Sequence, residues 1–190
     1  MIGQHYLQDV IVQLRKLKAQ ADKSIAQVTD EQLFATLDPE SNSIAILMKH
    51  IAGNMRSRWT DFLTSDGEKP DRERDREFEA EAADSRAAVA ARWEDGWRLT
   101  LEAITALAPA DLERTVRVRG EAHTVLEAIN RQLMHYAAHV GQIVLLAKHL
   151  TGPAWRTLSI PRGKSKQFDV AKSGALYPVE QAKRSEPPGR

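Results

Sequence analysis

Two histidines four residues apart, His135 and His139 in "HYAAH", are the side chains of this 190-residue sequence whose type and spacing most directly suggest chemistry. On a helix, positions i and i+4 lie about 40° apart around the axis and about 6 Å along it, so both imidazoles can face one ion. Two ligands hold a metal poorly, and a third must come from another element. His50 is the leading candidate, because it falls mid-helix beside an apolar stripe. His5 and His149 fall near helix ends, and His123 falls in a connector. Three neutral imidazoles suit Zn, Ni, Cu or Fe rather than Mg or Ca, and three protein ligands leave positions open for water or substrate. Spacing alone leaves two readings open, a pair of packed histidines at a core edge or two ligands of three. The HExxH protease reading fails, since position 136 is Tyr and the glutamate base is missing.

Four helical segments must position these residues. The first, from about Gly3 to Val28, carries Leu7, Val10, Ile11, Leu14, Leu17, Ala21 and Ile25 on one stripe. The second, about Ile44 to Leu63, buries Leu47, Met48, Ile51, Met55, Trp59 and Phe62 and contains His50. The third runs from about Ser85 to Leu107 with Val89, Trp93, Trp97, Leu101 and Ile104, and the fourth runs from Thr124 to about Leu150. Thr29 with Gln32 and Thr124 with Glu127 have the capping-box spacing of helix starts. "TVRVRG" is a short alternating piece with a glycine turn, and little else reads as strand. Residues 65–86 hold nine acidic and five basic side chains, the pattern of a solvated crossover. The expected fold is all-α, a four-helix bundle whose long crossover lets helices two and three run parallel.

Composition narrows the function classes. A net charge of +1, from 27 basic and 26 acidic residues, provides no basic field for nucleic acid. The longest apolar runs are five residues, against the roughly 20 of a membrane span, and the first residues lack a signal-peptide core, so no membrane role and a cytoplasmic location are expected. No cysteine is present, which removes disulfides, thiolate ligands and a protein thiol nucleophile. The expected organisation is one domain over residues 1–169 and a disordered basic, proline-containing tail over 170–190.

"SNSIAILMKHIAGNMRSRW" and "HTVLEAINRQLMHYAAHVGQIVLLAKHL" together resemble the DinB-like superfamily, the DNA-damage-inducible and thiol-transferase-like metalloproteins. "WRTLSIPRGKSKQFD" further resembles an uncharacterised branch in which an S-I-P-R-G-x-S motif follows the last helix. The likeness spans roughly residues 3–169 and is most specific at the mid-helix His of helix two and the HxxxHxGQ of helix four. It implies an up-down-down-up bundle, a divalent metal held by His50, His135 and His139, and a homodimer packed through helix faces. Ni and Zn are the metals expected first.

With no cysteine in the chain, a thiol on that metal has to come from outside. The leading expectation is therefore metal-dependent transfer or isomerisation with a low-molecular-weight thiol and an electrophilic small molecule. One alternative is metal-hydroxide hydrolysis, for which Tyr136 and Glu127 are candidate proton acceptors. The other is a metal-stabilised dimeric stress module without turnover. No catalytic residue beyond the ligands is singled out. Trp59, Trp93 and Trp97 read as core. Arg156, Arg162, Lys164 and Lys166 read as surface tail or as a carboxylate-binding patch.

Overall fold

A computed structural model describes residues 2–167. The chain is mostly helical, with one small two-stranded sheet. It divides into two compact units, Met1–Trp155 and Arg156–Arg190. Within the second unit the described residues form one short 3₁₀ turn, Ser165–Gln167, and Arg156, Arg162, Lys164 and Lys166 belong to this unit. The tail expected from residue 170 lies outside the described residues.

The first unit begins with α1 (Ile2–Ile25), whose stripe buries Leu7, Val10, Leu14 and Ala21. The short α2 (Asp30–Phe34) follows, opened by the expected capping box: Gln32 N donates to Thr29 Oγ1 at 3.2 Å and Thr29 N to Gln32 Oε1 at 2.9 Å. α3 (Ile44–Trp59) starts at a Ser43 cap, and α4 (Arg86–Thr105) at a Ser85 cap. α5 (Val125–Thr151) opens on the Thr124/Glu127 box. α3 ends at Trp59 rather than near Leu63, because Thr60 turns extended and Asp61 is left-handed at φ 47°. Phe62 stays buried in the turn that follows.

Side-chain contacts tie the long helices at their ends. Tyr6 Oη, in the second turn of α1, donates to Asn130 Oδ1 of α5 at 2.7 Å. Gln32 Nε2, just beyond the end of α1, donates to the Leu150 carbonyl near the end of α5 at 2.8 Å. Arg86, the first residue of α4, donates to the Val28 carbonyl at 2.7 Å, and Trp93 Nε1 to Asp22 Oδ1 at 2.9 Å. α3 and α4 approach so closely that a Cβ on Gly96 would lie 3.0 Å from Ala52 Cα, so glycine is what this crossing requires.

The all-α expectation needs one amendment. "TVRVRG" does form a strand, β1 (Thr115–Val118), but it pairs antiparallel with β2 (Glu121–Thr124), which carries no alternation of its own. The turn between them uses left-handed backbone at Arg119 (φ 58°) and Gly120 (φ 79°), as a two-residue hairpin of the primed type does. Asp66 caps that turn, its carboxylate accepting from Arg119 N at 2.8 Å and Gly120 N at 2.7 Å.

A larger correction concerns residues 65–86, read from their charges as a solvated crossover. Most of the segment is exposed, as expected, but part of it folds back onto α3. Lys49 and Asp84 form a 2.6 Å ion pair with side chains 4% and 6% exposed, and Lys49 also donates to the Glu79 carbonyl at 2.9 Å. Ser57 Oγ donates to the Gly67 carbonyl at 2.9 Å, and the buried Arg58 guanidinium joins the same carbonyl and Glu68. Charge here is the means of burial: each desolvated ion meets its counter-ion, and the local segment cannot reveal which. With α4, α5 and this crossover around it, α3 is buried along nearly its whole length.

Candidate metal centre

α3 and α5 bring their histidines to one point. His135 Nε2 lies 3.3 Å from His50 Nε2 and 3.0 Å from His139 Nε2, and all three ligand atoms fall within 4.8 Å of one another. Two imidazole nitrogens bound at about 2.0–2.1 Å to one ion, at angles between octahedral and tetrahedral, stand roughly 2.8–3.4 Å apart, which these spacings match. The rings meet edge to face, at 78° to 84°, so the nitrogens converge without the rings stacking.

Two of the three rings have a partner on the other nitrogen. His50 Nδ1 is 2.9 Å from Glu77 Oε2, and His139 Nδ1 is 2.8 Å from Gln142 Oε1. When each ring donates through Nδ1–H to these oxygens, its Nε2 presents a lone pair to the cluster. The two lone pairs of His50 and His139 then face His135 Nε2, and a divalent ion would be held by all three nitrogens at once. The donor set is three borderline-soft nitrogens, which fits a late transition ion.

The electrostatics agree. Burial, followed by the charges His139 and His50 would carry, pushes the His135 imidazole down to about 4. Burial also lowers His139. Both are therefore neutral at pH 7, the form that binds metal. Burial alone would raise the Glu77 carboxyl, but hydrogen bonds from His50 and Arg72 outweigh it and hold the group below its ordinary value.

Glu77 was invisible in the sequence as a site residue. It sits in a 3₁₀ turn, Asp75–Phe78, within the folded-back crossover. Arg72 grips it through two bonds, Nε to Oε1 and Nη2 to Oε2, both 2.8 Å. Phe78 packs its ring 4.6 Å from the His50 ring, and the Arg74 guanidinium covers Phe78 at 5.0 Å. The available signal was Gly53, an unforced glycine inside the α3 pattern three residues past His50, which marks a close approach without saying by what. Gln142 was legible as part of the HxxxHxGQ pattern.

Other candidates are accounted for elsewhere. Tyr136 is fully buried; it accepts from Trp59 Nε1 at 3.0 Å and donates to Asn54 Oδ1 at 3.2 Å, and burial pushes its hydroxyl well above the ordinary range. Glu127 is the capping partner of Thr124, accepting from its backbone N at 2.7 Å. Trp59, Trp93 and Trp97 are core. His5 and His149 are exposed, and His123 lies beside Arg131 and Glu121, away from the cluster. A cleft of about 790 Å³ is lined in part by Glu77 and Arg72, and none of the three histidines lines it. Six cations balance six anions in its wall, so it selects no ligand charge. Among the described residues no helix is long and apolar enough to cross a membrane.

Fold and site together define a class: a mostly helical protein in which three histidines from two helices can hold one metal ion. The chain belongs to the family described as "Protein of unknown function (DUF1572)", which matches residues 1–164. No curated protein matches the chain.

Proposed function

We propose that this protein is a divalent-metal-dependent enzyme that joins an external low-molecular-weight thiol to an electrophilic small molecule, on a DinB-like four-helix bundle of up-down-down-up order. The end-to-end ties of α1 to α5 and the start of α4 beside the end of α1 support that order. The observation that carries the function is the convergence of three imidazole nitrogens on a point where His135 and His139 remain partly exposed, so that small molecules can reach it. A divalent ion bound there, Ni or Zn first, lowers the pKa of a thiol or water in its remaining positions. A coordinating thiol would ionise outright on such an ion; bound water would ionise at about 7 on zinc, but hydrolysis would still need a protein group near the metal to accept and pass on its protons.

That difference favours the thiol reading over hydrolysis, because Tyr136 and Glu127 are already committed to the core and to a helix cap. In the reaction the external sulfur would form the new C–S bond as the thiol proton is released; a halide would depart with its electron pair, an opened epoxide oxygen would keep the pair and take up a proton, and on a maleyl-type acid the sulfur would add to the double bond and leave again after rotation. His50, His135 and His139 bind, and Glu77 and Gln142 orient two of them. Untagged protein should contain stoichiometric metal and consume thiol with some member of a panel of epoxides, alkyl halides and maleyl-type acids. Stoichiometric metal with no consumption across the panel overturns the enzyme reading in favour of a metal-stabilised binding module.

The same protein is proposed to be a homodimer. Met134 (72% exposed), Ala138, Gly141 and Leu145 (66% exposed) form an outward apolar line on α5, and nothing lies within 4 Å of where a Gly141 Cβ would be. A two-fold crossing midway between Ala138 and Gly141 would seat Met134 against Leu145 of the partner subunit. Light scattering should give twice the 21.3 kDa chain mass for the wild type and the single-chain mass for Leu145→Glu. A wild-type mass of one chain overturns this.

A further inference from the structure

We propose that Glu77 is the positioning residue of the metal centre: pinned by Arg72 in the notch that Gly53 leaves open, it fixes the tautomer and ring angle of His50, so that Nε2 faces His135 and His139. The inference rests on the metal-binding reading above and deepens it.

Three independent observations meet at this carboxylate. Its Oε2 stands 2.9 Å from His50 Nδ1, the distance of a hydrogen bond from a ring N–H. Its two oxygens are both held by Arg72, itself only 5% exposed, so the acceptor is aimed and cannot swing to solvent. A Cβ at position 53 would lie 2.2 Å from Glu77 Oε1, so the carboxylate occupies space that only a glycine in α3 leaves. Phe78, the next residue, closes the remaining side of the His50 ring at 4.6 Å. A segment needed only to link α3 and α4 has no reason to bury a carboxylate against a histidine ring, since Lys49–Asp84 and Arg58–Glu68 already fasten it.

A ligand histidine whose outer nitrogen is fixed by a carboxylate binds metal more tightly, and loss of such a partner typically costs about 10–100-fold in affinity. The experiment uses the full chain, with Zn²⁺ competed against a chromophoric chelator at pH 7, and compares four variants. Glu77→Ala should lose affinity within that range. Glu77→Gln, which keeps an acceptor oxygen, should lose less. Gly53→Ala, which displaces the carboxylate from α3, should lose affinity without touching Glu77 itself. Asp84→Asn weakens the Lys49 pair that fastens the same crossover without touching Arg72, Glu77 or a histidine, and should bind as the wild type does. In the metal-free protein, ¹⁵N spectra should show His50 protonated at Nδ1 in the wild type and as a tautomer mixture in Glu77→Ala. Equal affinity of wild type and Glu77→Ala overturns the proposal. So does an equal loss in Asp84→Asn, which would mark Glu77 as a mere fastening. A wild type that binds no Zn²⁺ overturns the metal reading instead, and the tautomer result then decides the role of Glu77 alone.

Discussion

His50→Ala is expected to lower metal affinity by more than the roughly 10–100-fold that loss of an outer partner costs, and to leave sub-stoichiometric metal after dialysis. The reason is geometric. His135 and His139 share one helix face, and two imidazoles alone leave most of an ion's coordination to water. His50 is the single ligand from α3, so it is also the link through which an ion joins α3 to α5. The variant should therefore lose the stabilisation that added metal confers, which for a ligand binding only the folded state grows as the logarithm of its concentration over Kd. The fold itself should persist, because the core of Ile44, Leu47, Ile51 and Met55 does not include the imidazole. Elemental analysis of untagged protein together with thermal unfolding with and without Zn²⁺ checks this. A His50→Ala protein that retains one equivalent of metal and the full metal-dependent shift in Tm sinks the assignment of His50.

The metal-free protein is expected to lose stability as pH falls from about 6.5 toward 4. His135 is held down to about 4 in the fold, chiefly by burial and then by its two neighbours, while an unfolded histidine titrates near 6.5. Between those values the unfolded chain binds more protons than the folded one, so stability rises with pH across this window. The contribution is complete above about 6.5, fades through the interval and is gone below about 4. The difference corresponds to about 3 kcal/mol, and the lowering of His139 adds in the same direction. Glu77 and Asp84 are also lowered in the fold, so their contributions are lost only in the more acidic range below their ordinary values. Urea unfolding of chelator-treated protein at half-unit steps from pH 7.5 down to about 2.5 resolves the two windows. A stability that is flat from 7 to 5 would show that His135 is not held neutral by the fold.

Much of the architecture could be read from local chemistry. Helix starts at Thr29 and Thr124 follow from capping boxes that close within four residues, and the stripes of α1 and α4 follow from a 3.6-residue period. The i, i+4 geometry of His135 and His139 is likewise local. His50 was found because a polar ring beside a core stripe in mid-helix stands out in one dimension. β2 was missed because Glu121–Thr124 is strand only by pairing with β1 across a tight turn. Tyr136 illustrates the opposite failure: adjacent to a ligand in sequence, its hydroxyl is enclosed between Trp59 and Asn54, and only their arrival in space removes it from the chemistry.

By itself, then, the sequence determined the helices and singled out the three histidines that the structure brings together, since helix faces are written in spacings of a few residues that backbone geometry converts directly. The tertiary structure alone decided what surrounds those histidines. Glu77 is one of nine acidic residues in a stretch whose composition reads as solvated linker, and nothing local separates it from the other eight. It became the carboxylate on His50 because the Lys49–Asp84 and Arg58–Glu68 pairs fold the crossover back onto α3 and Gly53 leaves it room. Those ion pairs join residues ten and thirty-five apart in the chain, and the energy that selects them exists only once both partners have left water together.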